Sequence, residues 1–590
     1  MKNTSWDLSH IYPDESAFSK DLSHFKDDII PSMASYEGKL GEEKSLAEFL
    51  GLEKELSMTL SRLYMYAASI SDLDKKDVKA GERLSKVELA ANDGMSKISF
   101  ADPEILQLGE EKVKAFFKSR PELSEFDFGY AKLFRSQKHV LSGDKEKLLS
   151  YYSPLLDEGS KMYSLLSVAD YVPKKVTLYN GETKEVNMSN WISLIQASEK
   201  PEDRAKIFET LYSYYDAHKN AYGEIYNTVL NSELSEMKSR GYSSILQEHL
   251  FNNKIPESVF LSLVKEAKEG SAPLKKYYEI RRKYLGLEKH RSYDRFIQLA
   301  KSDKKYTYDE ARELFFSSIK DFPEDFQKKA HEVSSEGYVD VYPHPGKRTG
   351  AYSNGGEGIH PYILLNFEGE LEDCFTLAHE SGHSIHTLYS EESQPIMKQD
   401  YTIFVAEIAS TFNEHNLLDY LLNSGKLSKN EQIALLQKAI DQICSTFYRQ
   451  TLFADYEYQI SLLAEKGEAI NYEVLSKTMV SLYKDYYGID ISEEKVKPLV
   501  WAYIPHLYYT PFYVYQYATS FTASMIIYEK VKNKEPQAFE NYIKLLRSGG
   551  SDFPIEEVKA AGVDLTDEKS FASVTKRMSE LVDKLEILLK

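Results

Sequence analysis

Apolar residues in the first third of the chain recur at helical spacing. Leu52, Leu56, Leu60 and Leu63 fall at i, i+4, i+8 and i+11, one face of a helix, and Ser45 followed by Glu48 offers a capping box at its start. Alternation replaces that pattern from Val176 to Val186, which predicts a small hairpin; its Asn180-Gly181 pair suits a tight turn because both residues tolerate positive φ. Helical periodicity returns from about Glu199 to Tyr284. Between Gly337 and Glu370, β-prone runs such as Tyr362-Ile363-Leu364-Leu365 are punctuated by Gly and Pro, which predicts a small sheet. Beyond it the chain reads as helical almost to Lys590, with no fixed-period repeat. The expected class is mainly α.

Length changes the picture first. At 590 residues the chain exceeds the ~250–300 residues at which a single core stops growing, so at least two lobes are expected. With 42% hydrophobic and 28% charged residues, it should fold throughout as a soluble protein. The formal charge of −19 argues against a nucleic-acid partner, because a polyanion would be repelled. Cys374 and Cys444 are far apart and lack CxxC spacing, which excludes a local disulfide framework or thiolate zinc site. The amino terminus has neither the basic start nor the apolar run of a signal peptide. No stretch approaches the ~20 apolar residues that cross a bilayer. The expected location is the cytoplasm, with no membrane partner.

The candidate chemistry lies in Thr376-Leu377-Ala378-His379-Glu380-Ser381-Gly382-His383, an HExxH pattern. Residues four apart on a helix differ by ~40° and ~6 Å, so His379 and His383 can address one metal, while Glu380, ~100° round the helix, is free to address a water. The bland alternative is an exposed turn with two histidines and a salt-bridging Glu. The apolar flanks Phe375, Leu377, Ala378, Ile385 and Leu388 speak against it, since they call for a buried helix.

Catalytic zinc takes three protein ligands and a water. A third histidine in HExxHxxGxxH is excluded, because positions 386 and 389 hold His386 and Tyr389. A carboxylate from a second helix remains, and Glu407 sits inside the apolar run Phe404-Val405-Ala406-Glu407-Ile408-Ala409, where an unpaired carboxylate would be costly to bury. Glu414, seven residues on, is the rival and otherwise an acceptor for a ligand imidazole. His386 returns to within ~20° of the His379 face, and a supporting or substrate-facing role suits it better than ligation.

These segments, with Ile504-Pro505-His506 and the tyrosine-rich run Tyr513-Val514-Tyr515-Gln516-Tyr517, Trp6-Asp7-Leu8 near the start and Ser548-Gly549-Gly550-Ser551 near the end, resemble the oligoendopeptidase F branch of the thimet-oligopeptidase-like M3 metallopeptidases. The resemblance covers nearly the whole chain. One departure is Ser381, where the family often has a bulky residue after HE. The resemblance implies a two-lobed helical peptidase with a deep channel, a small β-sheet beside the HExxH helix and one zinc ion. Along the chain it implies residues 1–195 as an N-terminal helical lobe with a hairpin and residues 196–590 as the zinc peptidase catalytic domain. It makes His379, His383 and Glu407 the ligands and Glu380 the general base. His506 and a tyrosine, Tyr517 or else Tyr513, would contact the scissile carbonyl. Substrates would be short oligopeptides cut internally; the oligomeric state is not implied.

Two rival readings stand beside it. A non-catalytic helical peptide-binding protein with a structural metal would have four closed ligands and no use for Glu380. A metal-dependent exopeptidase would need a charged group for a substrate terminus; no GxMEN-type amine site is present, and Arg348 is the example of a carboxylate binder.

Overall fold

The computed structural model describes residues 4–300 and 304–590. The helices that matter here are α1 (Glu43–Leu73), α2 (Val78–Lys97), α3 (Leu371–Ser393), α4 (Ile403–Asn423), α5 (Arg449–Glu465) and α6 (Tyr472–Tyr487). Strands β1 (Lys174–Thr177) and β2 (Thr183–Val186) form a hairpin; β3 (Val339–Asp340), β4 (Tyr352–Gly356) and β5 (Ile359–Leu364) form a three-stranded sheet. Helices dominate the rest of the described chain.

Contacts divide the chain into two compact units. Unit 1 comprises Met1–Lys138, Asp303–Tyr420 and Ser524–Val563; unit 2 comprises His139–Ser302, Leu421–Ala523 and Asp564–Lys590. They are interleaved in sequence rather than consecutive. A cut at residue 195 falls inside the helix Trp191–Ala197 of unit 2, and cutting a helix would sever its hydrogen-bond ladder, so the 1–195/196–590 division along the chain is not a division in space.

In unit 1, β5 is buried on both faces. Tyr362 and Leu364 join a core with Leu56, Leu63 and Met65 of α1, while Ile363 and the following Leu365 join a second core with Cys374 and Leu377 of α3. The period-2 alternation of a strand thus ties α1 to one side and α3 to the other. Leu52 and Leu60 pack against the first core, completing the face read from the sequence. The start of α1 is different. Glu42 is its N-cap with no side-chain bond, and Glu48 accepts the Tyr36 hydroxyl at 3.0 Å instead of closing a box with Ser45.

The strand order is β3-β5-β4, with β3 parallel and β4 antiparallel to β5. Trp6 fastens the sheet: its indole N–H donates to the Ile363 carbonyl at 2.8 Å. In unit 2, β1 and β2 are joined by residues 178–182, a longer connection than a two-residue turn. Only Gly181 takes positive φ there; Asn180 instead accepts the Glu182 N–H through its side chain. Cys374 and Cys444 are both buried and free. Among the described residues, no helix is long and apolar enough to cross a membrane.

Candidate metal centre

Helix α3 starts at a reciprocal capping box between Glu370 and Asp373 and buries most of its length. Its third and fourth turns bring His379 and His383 together, with their Nε2 atoms 3.2 Å apart. Helix α4 delivers Glu407, whose Oε2 lies 3.5 Å from His379 Nε2 and 3.8 Å from His383 Nε2. These three residues are the one group among the described residues whose ligand atoms converge within 4.8 Å. The point equidistant from three atoms so spaced lies about 2.0 Å from each, matching Zn–N and Zn–O distances of about 2.0–2.2 Å. The donor set fits a catalytic zinc and lacks the fourth ligand of a structural one.

Gly382 is what lets α3 and α4 approach this closely. A Cβ at that position would stand 2.6 Å from the Ala409 carbonyl oxygen and 2.6 Å from Ser410 Cα. Asn413 adds a bridge by donating to the Ala378 carbonyl at 3.1 Å. Downstream, Gly549 and Gly550 press against the backbone at Lys398 and Asp400, where any Cβ would collide, and the Gly550 N–H donates to the Lys398 carbonyl at 2.9 Å. That contact buttresses the segment leading into α4.

The imidazoles are oriented from behind. Glu414 Oε1 lies 2.6 Å from His379 Nδ1, and the His383 ring is hydrogen-bonded to the Ala406 backbone. Burial pulls the pKa of both rings down; for His379 the Glu414 carboxylate outweighs that and lifts it to about 9, whereas His383, next to His379, falls to about 4. Glu380 is 6% exposed and accepts the Ser353 N–H of β4. Burial, opposed by His379 and reinforced by Glu407 and Glu414, pushes its carboxyl up to about 7. His386 neither joins the cluster nor faces a substrate. It is fully buried and stacks on Tyr401 at 3.6 Å between centroids, because a ring 7 residues from His379 lies a further two turns along the axis.

The cluster lies in a cavity of about 1000 Å³ within unit 1, walled by α1, α2, β4, α3 and residues 399–407. The outer strand β4 runs along it from Tyr352 to Gly356. Sequence reasoning did not single out its acidic wall: Glu88, Glu357, Glu391 and Asp400 line the cavity, and no Lys or Arg is among its described lining residues. Scattered over more than 300 positions, these acids carry no local signal. Arg348 is not in that wall; its guanidinium pairs with Asp72 at 3.1 Å.

His506, Tyr513 and Tyr517 belong to unit 2. They form a partly exposed trio, with the His506 ring 6.3 Å from Tyr513 and 6.4 Å from Tyr517, and the two tyrosines 5.5 Å apart. Tyr513 precedes the helix Tyr515–Lys532, so a turn, not a shared helix face, brings it to Tyr517. Tyr515 is core.

Residues 194–576 match the family model described as peptidase family M3, and residues 104–172 match that of oligopeptidase F. Group B oligopeptidase PepB of Streptococcus agalactiae is 32% identical over 584 residues, 99% of this chain and 97% of the relative. Oligopeptidase PepF of Bacillus subtilis is 33% identical over 587 residues, 99% of this chain and 87% of the relative. Among solved structures, oligoendopeptidase-F from Enterococcus faecium superposes with a TM-score of 0.76 at 27% identity, covering 97% of this chain and 99% of that one.

Proposed function

Because the chain belongs to peptidase family M3 and is a metalloendopeptidase, we propose that it hydrolyses internal bonds of short peptides using one zinc ion held by His379, His383 and Glu407. The observation that carries this reading is the convergence of those three ligand atoms around a point about 2.0 Å from each. Zinc bound there supplies a Lewis acid and an acidified water.

The chain's own residues do the rest. Glu407 and the two imidazoles fix the ion's position, and Glu414 holds the His379 ring so that Nε2 points inward. Glu380, pinned by the Ser353 N–H, accepts the proton of the attacking water and returns it to the leaving amine. An extended peptide adds to the free edge of β4, through backbone hydrogen bonds that are indifferent to sequence; the position of β4 as outer strand along the cavity supports this. His506, with Tyr517 or else Tyr513, donates to the oxyanion, a role supported by the partial exposure and mutual contact of the three rings. Replacing each tyrosine by Phe separates them: the one that donates loses about 10²–10³ in kcat. A reducing compartment such as the cytoplasm suits the two free thiols.

The test is cleavage of a quenched fluorescent peptide blocked at both ends, by wild type, chelator-stripped protein and Glu380→Gln. Internal cleavage that requires metal and is nearly abolished in Glu380→Gln is expected. Cleavage of unblocked peptides alone would mean an exopeptidase, and silence on both would favour a binding protein.

A further inference from the structure

Unit 2 encloses a cavity of about 80 Å³ whose chemistry the peptidase reading does not use. Three cations, Arg295, Arg449 and Lys497, line it among aromatic rings. Lys497 is 6% exposed, and its ammonium lies 5.6 Å from the Phe208 centroid, 5.7 Å from Tyr212 and 5.1 Å from Tyr483. The Arg449 guanidinium sits 4.6 Å over Phe453 and reaches the Tyr483 hydroxyl at 3.4 Å. Arg295 stacks 4.4 Å over Phe296. Among the described residues none of the three makes an ion pair.

Two carboxylates outside the wall act electrostatically on these cations, Glu494 on Lys497 and Asp441 on Arg295. Glu494 accepts the Ser292 N–H and hydroxyl at 2.9 and 2.5 Å. Asp294 pairs with Arg204 at 2.9 Å, and Asp441 accepts the Tyr277 hydroxyl at 2.7 Å. A further donor is left over. Trp191 lines the same cavity and is 5% exposed, and its indole N–H donates to nothing among the described residues. The wall therefore presents two guanidinium groups, the Lys497 amine, whose pKa burial lowers, and an orphaned N–H, with no carboxylate among its described lining residues.

Arg295 and Arg449 are half-buried and Lys497 buried, and like charges brought together in such a site repel unless a counter-charge joins them. Burial pushes the Tyr483 hydroxyl up, and the cations, Lys497 first, outweigh that and draw it down to about 8; its oxygen accepts from Arg449. We propose that the cavity binds a small inorganic monoanion of halide size, held by Arg295, Arg449 and Lys497 with the Trp191 N–H as an additional donor. The mainly aromatic wall favours a sphere over an oxyanion, whose several oxygens would each require partners. By linkage, the occupied site stabilises the folded chain.

The test uses the full-length, zinc-replete protein. Crystals soaked in sodium bromide should give an anomalous peak inside the cavity. At constant ionic strength, exchanging gluconate, too large to enter, for 100 mM chloride or bromide should raise the unfolding temperature by about 2 °C or more. Lys497→Met should abolish that dependence. Trp191→Phe, which keeps an aromatic ring and removes only the donor, should weaken it and serves if Lys497→Met does not fold. Absence of the bromide peak, or an unfolding temperature equal in gluconate and chloride, overturns the proposal. Tetrahedral density from a phosphate soak in place of a halide overturns the size assignment.

Discussion

Adding one methyl group at Gly382 would force two helix backbones apart. The new Cβ would stand 2.6 Å from the Ala409 carbonyl oxygen and from Ser410 Cα, where ordinary contact begins near 3.4 Å. Neither neighbour is a movable side-chain tip, so α4 has to retreat by about 0.8 Å at that crossing. Glu407 lies two residues from Ala409, and metal–ligand distances tolerate only about ±0.2 Å. In Gly382→Ala the overpacking should cost the metal-free protein about 1–3 kcal/mol in chemical unfolding. Zinc affinity, measured against a competing chromophoric chelator, should fall at least tenfold. Peptide turnover at saturating zinc should fall by about 10². The control is Gly51→Ala on the exposed face of α1, where a Cβ meets nothing within 4 Å; there a small gain of about 0.5–1 kcal/mol is expected. Unchanged zinc affinity in Gly382→Ala would refute the argument that this contact sets the distance between the ligands.

Glu414→Gln keeps the shape beside His379 Nδ1 and removes the charge, so zinc should bind about 10–100-fold more weakly, whereas Glu380→Gln should leave affinity near wild type; equal affinities in the two variants would contradict their separate roles. Glu457 in unit 2 has one oxygen on the Phe512 N–H at 2.8 Å and the other without a partner, and burial raises its pKa to about 8. An unfolded Glu titrates near ~4.3, so between about pH 5 and 8 the folded chain keeps a proton that the unfolded chain has released, and this group's contribution falls as pH rises through that window. Glu457→Gln should therefore gain on wild type from pH 5 to pH 8.5 in chemical unfolding; a pH-independent difference would count against it. The acidic cavity wall should favour substrates with Lys or Arg near the scissile bond over Asp or Glu analogues, with a KM difference that shrinks as salt rises; matching KM values at low salt would remove that wall from specificity.

Where geometry is local, the residues themselves were readable. The four-residue spacing of His379 and His383 puts their rings together on any helix, and Glu407 stood out as a carboxylate in an apolar run. The sheet before α3 was legible from β-prone runs between glycines, and the face of Leu52, Leu56, Leu60 and Leu63 from its period. What escaped depends on partners far along the chain. Ser45 and Glu48 have the right spacing for a cap, yet Tyr36 takes the Glu48 carboxylate. Gly382 looks like any helical glycine until Ala409 is packed on it. The Ser353 N–H on Glu380 needs a strand edge laid beside a helix, and the division of the chain into interleaved units has no composition boundary to mark it.

That interleaving bears on how the enzyme is born. Unit 1 is finished only by the segment Ser524–Val563, which brings Gly549 and Gly550 against the backbone that leads into α4. Synthesis proceeds from the amino terminus at about 5–20 residues per second, so the residues at 379–407 leave the ribosome well over a hundred positions before the piece that braces them. Over that last part of translation the polypeptide carries His379, His383 and Glu407 without the segment that braces α4, so the cluster is completed only near the end of synthesis.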